Sequence, residues 1–304
     1  MRWTPGNRSQ NLEDRRGQSA SGGGGGGGGI PMALIGLLLR TRFGIPILIV
    51  LALLYFFGGG DLLGKLGMGG SNGSRLSANE ASTPYEGSAA EETLVDFVSF
   101  VLDDAQSTWR TKLEAEGENY RDAKLVLFTD AVDSGCGYAQ SAMGPFYCPA
   151  DEKVYIDLGF YRELQTRFGA PGDFAQAYVL AHEVGHHLQT VLGYSPRMRQ
   201  AQAKQPARKN ELSVLLELQA DCFAGIWAHD TAKRELLERG DIQEGLGAAA
   251  AVGDDRIQKQ ATGKVNPETW THGSSAQRQK WFTVGFETGS IQACDTFADA
   301  GISI

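Results

Sequence analysis

The nine residues AHEVGHHLQ, positions 181–189, decide how this chain is read. His182 and His186 stand four apart, so on a helix they project from one face on successive turns. That is the geometry in which two imidazoles grip one tetrahedral zinc. Glu183, beside the first histidine, can reach a metal-activated water as general base. The helix predicted around them opens at Asp173, with Gln176 completing a capping box, and ends at Gly193 and Pro196. Ala177, Ala181, Val184, Leu188 and Val191 form its buried stripe. Gly185 costs about 1 kcal/mol relative to alanine in a helix interior, which predicts close packing of another segment there. His187, one position round the helix, points elsewhere and is read as structural.

A third ligand is sought downstream, in ELSVLLELQADCFAGIWA, positions 211–228. Its apolar periodicity predicts a helix on which Glu217 and Asp221 stand at i and i+4. Two carboxylates on an otherwise apolar helix must be paired or ligated, because buried charge is costly. Glu217 as the third zinc ligand and Asp221 as hydrogen-bond partner of a ligand histidine satisfy both. The competing reading of 181–189, a partly exposed helix with histidines on its polar side, leaves these carboxylates unexplained.

Upstream, Leu94, Phe97, Val98, Val101, Leu102, Ala105 and Trp109 give one apolar face to a predicted helix over 91–116. Short runs follow at 124–128, 138–142, 144–148 and 154–158, separated by Gly, Pro and Asp, and read as strands. After Tyr161 the pattern is mostly helical. The fold class expected is α+β, a small antiparallel sheet packed with helices.

Four cysteines occur and none forms a C-x-x-C pair. Two disulfides are possible, Cys136–Cys148 closing a short hairpin-like loop and Cys222–Cys294 tying a helix to the C-terminal tail. Four buried free thiols are the alternative.

The net charge of −8 is uneven: residues 1–42 carry +4 and the rest −12. An acidic domain argues against nucleic acid as partner. Residues 1–29 are basic and glycine-rich, with the run Gly22–Gly29, and are expected to be unfolded. The apolar segment 30–60, interrupted by Arg40 and Arg42, contains a stretch over 43–60 long enough for a single transmembrane helix. Residues 61–90 read as a flexible linker, leaving 91–304 as the folded domain. Arginines before the span predict a cytoplasmic N-terminus and a domain outside the membrane.

With these motifs in place, the chain resembles the thermolysin-like zincins, where H-E-x-x-H is followed on a second helix by E-x-x-x-D. More closely, it resembles the bacterial putative neutral zinc metallopeptidase family. The matching segments are EDRRG (13–17), CGYAQSAMGPFYCPAD (136–151), the histidine block, ELQADCFAG (217–225) and THGSSAQRQKWF (271–282). The resemblance implies a zincin-like fold, one Zn2+ per chain, a peptide or protein substrate, and a metalloendopeptidase held on the bilayer of the bacterial inner membrane with its catalytic domain periplasmic. Similarity to integral-membrane metallopeptidases, where a His followed six residues later by Arg lies beside the zinc, implies that His272 donates to the oxyanion and Arg278 steadies the carboxylates. The plainer reading of 271–278 is a helix start capped by Ser274 or Ser275, with an ordinary salt-bridging Arg278. Zincin analogy also suggests that Tyr138–Ala142 is an edge strand for an extended substrate. Two rivals are a membrane-tethered zinc-containing binding or quality-control module without turnover, and a zinc hydrolase of a non-peptide bond.

Overall fold

In a computed structural model of the chain, the described residues are 1–18, 20, 85 and 87–304. Those on both sides of the gap pack as one compact unit. The expected span at 43–60 and most of the expected linker lie outside the described residues. Among the described residues, no helix is long and apolar enough to cross a membrane.

The first helix, α1 (Ala89–Ala115), starts two residues before the expected position, because Ser88 accepts a hydrogen bond from the Glu91 amide and caps it. Its apolar face, including Val98, Leu102, Ala105 and Trp109, enters the main core. The strands follow: β1 (Leu12–Asp14), β2 (Lys124–Phe128), β3 (Ala131–Ser134), β4 (Gly137–Gln140), β5 (Phe146–Cys148) and β6 (Lys153–Asp157). They form a four-stranded sheet ordered β1-β2-β6-β5 and a separate β3-β4 hairpin.

The α+β class holds, but the larger sheet is mixed. β1 and β6 flank β2 in parallel, and only β5 pairs antiparallel, with β6. The physical reason lies in β2 itself. Leu125 and Leu127 enter the main core while Val126 and Phe128 enter a second cluster on the other face. A strand buried on both faces reads as one apolar run, the mark of parallel pairing.

The expectation of an unfolded N-terminus is corrected for residues 1–18. Leu12 lies opposite Leu125, the Leu125 amide donates to the Asn11 carbonyl at 2.8 Å, and the Arg15 amide donates to the Leu127 carbonyl at 2.8 Å. Arg16 is 3% exposed and donates to Asp14, Glu91 and Glu92. Trp3 packs edge-on against Phe97, and the Met1 ammonium donates to Asp173 at 2.7 Å. The domain therefore includes residues 1–18 as well as 87–304.

Among the described residues, the other α-helices are α2 (Gly159–Thr166), α3 (Asp173–Val191), α4 (Tyr194–Lys204), α5 (Lys209–Lys233), α6 (Asp241–Ala251), α7 (Asp254–Thr262), α8 (Ser275–Thr288) and α9 (Thr296–Asp299). Gly172 stands at the N-cap of α3 without a side-chain cap, so the Asp173–Gln176 box is not formed: Asp173 accepts from Met1, and the Phe174 amide donates to Glu244 at 3.2 Å. Gly193, left-handed at φ 80°, ends it, and Pro196 falls in the first turn of α4. Gly185 faces α5 as expected: a Cβ there would stand 3.0 Å from the Ala220 carbonyl oxygen. Helices α5 and α8 approach through Gly225 and Gly285, where a Cβ on Gly285 would overlap the Cys222 carbonyl oxygen. Both disulfides are present, Cys136–Cys148 and Cys222–Cys294.

Candidate metal centre

Close contact of α3 and α5 at Gly185 and Ala220 brings their polar stripes together. His182 Nε2 lies 3.2 Å from Glu217 Oε2, and His186 Nε2 lies 3.3 Å from Glu217 Oε1. Two donors about 2.0–2.1 Å from a common tetrahedral centre stand roughly 3.3 Å apart, so these separations fit a zinc ion. Donor atoms of all three residues lie within 4.8 Å of one another. Two imidazoles and a carboxylate, open to a cleft where a fourth ligand can enter, are the donor set of a catalytic zinc site.

The charge around this centre is compensated. Asp221, fully buried, stands 2.8 Å from His182 Nδ1 and accepts from Arg278 Nε at 2.7 Å and Nη2 at 2.9 Å. Tyr178 Oη also donates to it. Burial favours the neutral acid, but Arg278 and His182 outweigh it and hold the Asp221 pKa below its usual value. An ionised Asp221 only accepts, so His182 carries its proton on Nδ1 and turns Nε2 toward Glu217. Burial opposes the charged form of His182, yet Asp221 beside it lifts its pKa to about 9. Glu217 is also pressed upward by burial and pulled well below its usual value by His186 and His182. Burial raises the Glu183 carboxyl, against the opposing pull of the two histidines.

The centre opens into a cleft of about 810 Å³ lined by His182, Glu183, His186, Glu217, His272 and Arg278. His272 is half exposed and its Nδ1 lies 3.2 Å from Asp254 Oδ1. That hydrogen bond raises its pKa, with burial opposing. The Asp254 carboxylate also accepts from the amides of Thr271, His272 and Gly273, which shapes the loop presenting the imidazole. Ser274 caps α8 in a capping box, and Arg278, 3% exposed, is a buried cation paired with Asp221. His187 turns away, its Nε2 donating to the Arg121 carbonyl at 2.6 Å.

Of the expected edge segment Tyr138–Ala142, residues 138–140 lie in β4 of the separate hairpin, while Ser141 and Ala142 line the cleft together with Phe146 and Tyr147 of β5, the end strand of the four-stranded sheet. Tyr178 and Asp254 were not singled out from sequence. Tyr178 stands one turn before His182 on the motif helix, and that spacing was the available signal; Asp254 is separated from His272 by 18 residues and gave none.

Over residues 1–297 the chain matches the profile of the family described as "Putative neutral zinc metallopeptidase". It is similar to "Uncharacterized protein YpfJ" of Escherichia coli (strain K12), with 45% identity over 298 residues covering 98% of this chain and 99% of that protein. It is also similar to "Uncharacterized protein Rv2575" of Mycobacterium tuberculosis (strain ATCC 25618 / H37Rv), with 52% identity over 194 residues covering 60% of this chain and 65% of that protein. No solved structure matches the chain.

Proposed function

The chain belongs to the putative neutral zinc metallopeptidase family, and from that premise we propose that it is a zinc-dependent endopeptidase in which Glu183 is the general base. The observation that carries this reading is the convergence of His182, His186 and Glu217 on one point of the cleft, with Glu183 on the same wall. When bound there, one zinc ion per chain supplies Lewis acidity to the scissile carbonyl and to water.

The chain's own residues do the rest. A carboxyl raised by burial suits Glu183 Oε to take a proton from the attacking water and pass it to the leaving amine. His272, held by Asp254, donates to the oxyanion as its charge develops. Arg278 and Tyr178 keep Asp221 ionised, and Asp221 keeps the proton of His182 on Nδ1. An extended peptide is oriented by adding to β5, where Phe146 and Tyr147 line the cleft.

The two disulfides support an oxidising, extracytoplasmic compartment for the unit, residues 1–18 included. The apolar segment 30–60 supports attachment to a bacterial inner membrane by a stretch that enters and leaves on the side holding β1 and β2, in place of a single crossing.

The test compares metal content and cleavage of a broad peptide library for wild type, Glu183→Gln and Glu217→Gln. The reading expects one zinc and cleavage, then zinc without cleavage, then neither. Wild-type zinc with no cleavage of any peptide sinks the peptidase assignment.

A further inference from the structure

His186 has no carboxylate partner for its second nitrogen, unlike His182, and its orientation is supplied differently. His186 Nδ1 lies 2.9 Å from Gln189 Oε1, one turn later on α3. Gln189 Nε2 donates to the Leu216 carbonyl at 2.6 Å and to Gln219 Oε1 at 3.2 Å. Gln219 Nε2 in turn donates to the Cys294 carbonyl at 3.2 Å. Both glutamines are fully buried.

The direction of this chain of bonds follows from its two ends. A backbone carbonyl can only accept, so Leu216 requires the nitrogen of the Gln189 amide and Cys294 requires the nitrogen of the Gln219 amide. The Gln189 oxygen is thereby turned to His186, whose Nδ1 must carry the proton. Nε2 is the nitrogen left to face Glu217. Leu216 immediately precedes Glu217, so the same link ties the second histidine on α3 to the carboxylate on α5. Cys294 is bonded to Cys222 of α5, which anchors the far end.

We propose that Gln189 is a positioning residue for the metal centre, the middle of a relay running from the disulfide-held tail through Gln219 to His186. This rests on the reading of His182, His186 and Glu217 as a zinc site. The relay sets the tautomer and ring angle of His186 before metal arrives and fixes its distance from Glu217. Loss of such a partner weakens metal binding by about 10–100-fold.

The test uses the full chain, stripped of metal, with Zn2+ affinity measured by chelator competition and the visible spectrum recorded with Co2+. Gln189→Leu is expected to raise the Zn2+ dissociation constant about 10–100-fold and to alter the Co2+ bands. Gln219→Leu should weaken binding less than Gln189→Leu. Wild-type affinity and spectrum in Gln189→Leu overturn the relay, even if the variant melts earlier. Should Gln189→Leu not fold, unchanged binding in Gln219→Leu overturns it instead. A wild-type chain that binds neither ion overturns the metal-site reading, and the relay with it.

Discussion

Arg278 and Asp221 meet as a fully enclosed pair: guanidinium Nε lies 2.7 Å from Oδ2 and Nη2 lies 2.9 Å from Oδ1, with both side chains almost without solvent contact. Removing the cation leaves a buried carboxylate facing Tyr178 and His182 alone. Arg278→Leu should therefore cost about 3–5 kcal/mol in denaturant unfolding. A loss well under 1 kcal/mol would show that Asp221 does not depend on this partner for its charge.

His272 contributes nothing to the main core, so its replacement separates catalysis from folding. His272→Ala should lower kcat by about 10²–10³-fold, the usual cost of one oxyanion donor, with zinc content unchanged. Asp254→Asn should lower activity as well, because Asp254 holds both the imidazole and the three amides of its loop. Steady-state kinetics alongside metal analysis decide this, and an unaffected kcat in His272→Ala removes it from the mechanism.

At Gly285 the backbones of α5 and α8 touch. Gly285→Ala should destabilise by about 1–3 kcal/mol or more, since a methyl group has no space beside the Cys222 carbonyl. It should also weaken zinc binding by moving Arg278 away from Asp221. Thermal melting with and without zinc reads both effects.

Acid should loosen the N-terminal segment before the rest. Burial alone would raise Glu13, but hydrogen bonds from Lys153 and Arg15 outweigh it and hold it at about 2. Asp14 is lowered by Arg16 against burial, and Glu92 chiefly by Arg8. Carboxylates depressed on folding contribute stability that is complete above their ordinary value, 4.5 for Glu13, and is lost as pH falls toward the folded value. The hydrogen-exchange protection of residues 11–16, relative to the unstructured chain at the same pH, should fall between pH 4.5 and about 2, ahead of that of α3 and α5. Exchange in step with those helices would contradict the prediction.

The parts of the site legible in sequence were those written in helical spacing. His182, Glu183 and His186 share one helix, and Glu217 with Asp221 repeats the interval on another, so i and i+4 geometry places each group before any packing is known. The apolar stripe of α1 and the close approach at Gly185 follow from the same periodicity and from the cost of glycine in a helix. Pairings between distant segments carried no such signal. β1 is the polar triplet Leu-Glu-Asp inside a basic, glycine-rich stretch, and its strand character comes wholly from β2. Gln189 and Gln219 are ordinary helix residues until two backbone carbonyls turn their amides. Asp254 meets His272 only because a loop returns there.

The pairing of Leu12 with Leu125 also sets an order of assembly. The ribosome delivers β1 first, yet its partner follows only after roughly 110 further residues. β6, also parallel to β2, emerges later still, so the sheet grows outward from β2 with its earliest-made strand kept waiting. A chain begun at α1 would present the bare edge of β2, buried on both faces and open along its backbone, as a template for other strands. The first eighteen residues thus act as a plug for that edge.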